Sequence, residues 1–174
     1  MRSTTTRNIV FTALCIAIGL LLPQVVKIIP IAYPGAVLLP MHIPVLVCGF
    51  LCGPRYGLIS GLILPITASL LTGMPPLFPT AVSMMSELAT YGLLTGLLYK
   101  YTKGKILISL IGAMIGGRIV LGLVNALLFN LGDNVYGLTL FISGAFVTAL
   151  PGIIIQLIII PVIIQALKRT NVMA

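Results

Sequence analysis

Apolar runs long enough to cross a membrane as helices alternate along the whole chain with short segments rich in proline, glycine or lysine. A spanning helix needs about 20 mostly apolar residues, and the pattern predicts six such elements. The first runs from Asn8 to Ile29 and is followed by a Pro-rich loop from Pro30 to Pro40. The second, Met41 to Cys52, ends at Gly53-Pro54-Arg55-Tyr56-Gly57. The third covers Leu58 to Leu71 and is expected to break at Pro65, because proline lacks the amide donor and clashes with the preceding turn. Both are short for a full span, which predicts tilting, a break or partial withdrawal from lipid. Thr72 to Pro79, with Pro75, Pro76 and Pro79, is expected to be non-helical. The fourth helix, Thr80 to Leu98, leads into a basic turn, Lys100 to Lys105. The fifth covers Ile106 to Phe129, and a polar turn from Asn130 to Asn134 precedes the sixth, Leu138 to Leu167.

Composition turns this pattern into a membrane assignment. The 174 residues are 59% hydrophobic and 7% charged, with a mean hydropathy of +1.22. A soluble domain carries about 25% charged residues, and so few charges would leave large apolar patches in water. Arg2 and Arg7 before an apolar run outline a signal peptide, but the run continues to Ile29 without a small-residue cleavage pattern. The first helix is therefore expected to be retained. The predicted architecture is all-α: a compact bundle of six transmembrane helices forming one domain over residues 1–174.

The net charge of +8 orients the bundle. Six helices place both termini and the loops after helices two and four on one side. That side collects Arg2, Arg7, Arg55, Lys100, Lys103, Lys105, Lys168 and Arg169, whereas the opposite loops hold Asp133 with Lys27 nearby. The positive-inside rule makes the basic side cytoplasmic. Bases placed to orient helices do not call for nucleic acid as a partner. Gly53, Gly57 and Gly61, Gly92 and Gly96, and Gly112 and Gly116 repeat at four-residue spacing, which predicts close helix approach.

Several chemistries are excluded by counting. Asp133 is the only Asp and His42 the only His, so a two-Asp protease and an HExxH metalloprotease are ruled out. No serine sits in a GxSxG-like elbow, and no GxxxxGK[ST] phosphate loop occurs. Cys15, Cys48 and Cys52 lie in apolar stretches and lack the further ligands a zinc site requires. They read as small core residues. No cofactor, no metal and no enzymatic activity are expected.

Ionisable groups inside a membrane are costly and face a cavity or a partner. Glu87 and Arg118 stand out. They lie about 10 Å and about 16 Å below the outer ends of the fourth and fifth helices at 1.5 Å rise per residue, within reach of one another. Two compatible readings stay open: an ion pair fastening the helices, or groups that also face a polar ligand. Gln24, Lys27, His42, Tyr91, Asn125 and Gln156 add polar atoms toward the outer half. An interfacial position is the favoured reading for His42, and Lys27 also reads as snorkelling to the interface. Together these eight residues suggest an outward-facing polar pocket under two Pro-rich loops, of the kind that binds small molecules.

The segments Leu39-Pro-Met-His-Ile-Pro-Val-Leu-Val-Cys-Gly-Phe50, Gly53-Pro-Arg-Tyr-Gly57 and Leu71-Thr-Gly-Met-Pro-Pro-Leu-Phe-Pro79 resemble the corresponding regions of the S components of energy-coupling factor (ECF) transporters. Ala13-Leu-Cys-Ile-Ala17 resembles that family's AxxxA docking motif. The resemblance spans nearly the whole chain and is closest to members assigned to pantothenate, then to pyridoxine-like compounds. It implies a subunit of the bacterial cell membrane that binds a vitamin from outside. Such a subunit docks through Ala13 and Ala17 on a membrane coupling subunit with two ATPases, and topples to deliver its cargo. Competing readings are a non-transporting structural or assembly protein, its polar groups merely fastening helices, and a small autonomous secondary transporter.

Overall fold

A computed structural model of the chain describes residues 2–130 and 143–170. Seven α-helices are seen among them: α1 (Arg2–Val26), α2 (Pro34–Leu38), α3 (His42–Cys52), α4 (Pro54–Thr72), α5 (Val82–Tyr101), α6 (Ile106–Asn130) and α7 (Leu150–Arg169). Six stretches are long and apolar enough to cross a membrane, α2 and α3 counting together as Pro34–Cys52. The protein is an all-α, multi-pass membrane bundle. The polar turn expected at Asn130–Asn134 lies outside the described residues beyond Asn130, as does the expected start of the sixth helix at Leu138.

Four elements differ from the sequence expectation. The third helix does not break: α4 continues through Pro65 to Thr72. One backbone hydrogen bond is lost there, but Leu64 and Ala68 on either side are buried against Leu88 of α5, and that packing holds the helix together. The Pro-rich stretch before α5 is not wholly irregular, since Leu77–Ala81 forms a π-helical turn interrupted by the extended backbone of Phe78. The first outer loop contains α2, whose left-handed flanking residues Tyr33 and Leu39 turn the chain sharply on both sides. Helix α1 also begins earlier than expected, at Arg2, and stops at Val26, where looser turns carry the chain to Ile29.

Helix α5 is the centre of the bundle and packs against α3, α4 and α6. The small residues make this possible. A Cβ on Gly92 would collide with the backbone of Gly57, and one on Gly61 with the backbone of Leu88 and Ala89. A Cβ on Gly96 would likewise meet the Gly53–Pro54 backbone. The α4–α5 contact is thus backbone against backbone, the close approach that small residues allow in lipid. Gly112 and Gly116 instead receive the side chains of Leu98 and Leu94. Cys15, Cys48 and Cys52 form a buried cluster with Phe11, Leu51 and Tyr56. Only the inner edge of α1 is buried, and Ile9, Val10, Leu14, Leu21 and Val25 face outward.

Candidate functional site

A polar cluster sits in the bundle interior, assembled from three helices. Glu87, in the second turn of α5, presents its carboxylate to Arg118 at the middle of α6, with Nη1 3.1 Å from Oε1. Tyr91, one turn along α5, donates its hydroxyl to the same oxygen at 2.9 Å. His42, the first residue of α3, brings Nε2 to 3.4 Å from the other carboxylate oxygen without the alignment of a hydrogen bond. Its ring stacks obliquely on Tyr91, with centroids 5.4 Å apart. A Cβ on Gly117 would occupy the Tyr91 ring, so this glycine gives the tyrosine its place beside Arg118. His42, Glu87 and Arg118 are 2%, 2% and 5% exposed, which puts a full ion pair out of water.

His42 is therefore not interfacial. The sequence signal was misleading because a polar residue after a Pro-rich loop normally faces water. Here α2 folds over the end of the bundle and packs on α7, with the Val37 and Leu38 backbone against Gly152.

The cluster leaves hydrogen-bonding capacity unused. Among the described residues no partner is found for Nε and Nη2 of Arg118, Nδ1 of His42, or either amide atom of Gln156. Buried polar groups are overwhelmingly paired, and leaving one unpaired costs about 1–3 kcal/mol. Gln156, in the second turn of α7, shares its face with Ile153 and Ile160, which pack in the core around Tyr91. The two open nitrogens of Arg118 are the pair that forms the side-on edge of a guanidinium, the edge that grips a carboxylate with two parallel hydrogen bonds. A 230 Å³ groove adjoins this residue, between Ile111, Met114 and Ile115 of α6 and Ile153 and Leu157 of α7.

The other candidates lie apart from the carboxylate. Lys27 is exposed and donates to Gln24 at 3.1 Å, a local pair at the end of α1. Asn125 is half-buried, two turns beyond Arg118 on α6. Ala13 and Ala17 are exposed on the outward face of α1. Among the described residues no group of three His, Cys, Asp or Glu side chains is arranged to hold a metal ion.

Residues 7–164 match the family described as ECF transporter, substrate-specific component. The chain belongs to this family. No curated protein and no solved structure gives a match. As a substrate-specific ECF component the protein is a transport subunit embedded in the membrane, not an enzyme.

The larger cavity, 750 Å³, lies elsewhere, around the α3–α4 turn, and is lined by bases from four helices. In the sequence those bases read only as topology markers. Their clustering was implicit in the same six-helix arrangement.

Proposed function

We propose that this subunit captures a small carboxylate vitamin, pantothenate before any pyridoxine-like compound, and delivers it through an ATP-driven ECF complex. The observation that carries the reading is the open Nε/Nη2 edge of Arg118, whose remaining amino group is held by Glu87. Glu87 neutralises part of the guanidinium and fixes its plane, so the free edge is pre-organised for an anion. Gln156 and Nδ1 of His42 supply further donors or acceptors for hydroxyl and amide groups. A largely neutral pyridoxine would leave the charged edge unfilled. Gln24 and Lys27, at the outer end of α1, would meet the ligand on entry, and Asn125 would line its path along α6.

Docking on the coupling subunit is assigned to Ala13 and Ala17. Their exposure on a face left open by the bundle supports it, since small side chains there allow a partner helix to approach. The test is thermal stabilisation of the purified chain by a vitamin panel. Pantothenate is expected to raise the unfolding midpoint in proportion to the logarithm of its concentration. A panel with no stabilising member would reject ligand binding and leave a structural protein.

A further inference from the structure

The 750 Å³ cavity at the other end of the bundle is lined by Arg7 of α1, Arg55 and Tyr56 of α4, Lys100 of α5 and Lys168 of α7, with Asn8 beside Arg7. We propose that it is a second ligand site, one that binds a phosphate group. The four cations come from four separate helices, so the fold brings them together where no stretch of sequence does. Only Glu87 and Asp133 are acidic in the whole chain. Glu87 is buried against Arg118, and Asp133 lies outside the described residues. Four like charges around one cavity repel one another, and an oxyanion among them turns that repulsion into attraction.

The walls suit such a ligand. The ammonium of Lys168 is held over the ring of Tyr99, 5.2 Å from its centroid, which limits the positions of a long side chain before any ligand arrives. Gly53, at a φ of 89° that only glycine adopts freely, turns α3 directly into α4. The amides of Arg55 and Tyr56, at the start of α4, have no carbonyl one turn earlier in their own helix. The end of α3 and the start of α4 meet at this turn with opposed dipoles, so the full charges dominate the site. The volume falls within the usual range of small-molecule sites, about 300–1,000 Å³.

The phosphate has two sources, an anionic phospholipid headgroup or a soluble phosphomonoester. The positive-inside rule puts this end in the cytoplasm, where basic pockets between membrane helices meet anionic headgroups. The site is independent of the vitamin reading, and its test needs no vitamin. The full chain in nonionic detergent is titrated with phosphatidylglycerol, phosphatidylcholine, glycerol phosphate and an acidic peptide, followed by native mass spectrometry and by unfolding midpoint. One phosphatidylglycerol per chain is expected to be retained, with no equivalent retention of phosphatidylcholine. The double variant Arg55→Gln/Lys168→Gln is expected to weaken retention about tenfold or more, each base near the surface contributing about fivefold. Arg55 and Lys168 are exposed, and a midpoint without lipid no lower than that of the wild type verifies that the variant folds. Equal saturation by glycerol phosphate supports the site and assigns it to soluble ligands. Retention that ignores the double substitution, no saturation by either phosphate compound, or a preference for the acidic peptide overturns the proposal.

Discussion

Burying Glu87 commits the chain to a cation beside it, and Arg118 and His42 converge from two other helices to meet it. The pair was legible in the sequence, because an acid and a base inside apolar runs at similar depths have few other options. The burial of His42 was not, since it depends on how α2 folds over the bundle. Glu87→Gln is expected to destabilise the protein by about 3–5 kcal/mol, the usual cost of stranding one member of a buried pair. Unfolding in detergent measures it, and a change under 1 kcal/mol would mean that water reaches the pair. Gln156→Leu works in the opposite direction. It removes two amide atoms that have no partner among the described residues, so ligand-free stability should hold or rise by about 1–2 kcal/mol, while vitamin binding weakens. A drop in ligand-free stability would show that Gln156 has a structural partner.

At the scale of helices, the glycine spacing foretold close packing, and the structure shows which pairs use it. Gly57 and Gly92 place backbone on backbone, where a methyl group has no flexible neighbour to displace. Gly92→Ala should therefore cost about 1–3 kcal/mol in unfolding free energy, the range for overpacking. Gly35→Ala, with no atom of the described residues near its would-be Cβ, is the control expected to show no loss. The survival of α4 through Pro65 was not legible, because local propensity predicts a break and only the tertiary contacts of Leu64 and Ala68 override it. The open face of α1 has its own test. Ala13→Trp should abolish uptake by the assembled transporter and leave vitamin affinity within about twofold, since Ala13 is exposed. Parallel loss of binding and uptake would instead place that face against the subunit's own interior.

At the scale of the whole molecule, hydropathy and the one-sided distribution of bases gave the six spans without any detail of packing. The structure agrees with that count by bringing Arg7, Arg55, Lys100 and Lys168 around one cavity. The identity of the cargo was far less legible, because it depends on which polar atoms remain open after the helices have packed. Uptake should require the ATPase module, and accumulation by this chain alone in ATP-free liposomes would point to a secondary transporter. The most direct test of the central claim is equilibrium binding of pantothenate and of its uncharged alcohol analogue to the purified wild-type chain and to Arg118→Lys. Lysine keeps a charge for Glu87 but lacks the two-donor edge. Wild type should prefer the carboxylate by about 1.5 kcal/mol or more, the lower range for hydrogen bonds to charged groups, and Arg118→Lys should lose most of that preference while remaining folded. Equal wild-type affinity for acid and alcohol, or tight binding of an uncharged vitamin with none for pantothenate, would contradict it.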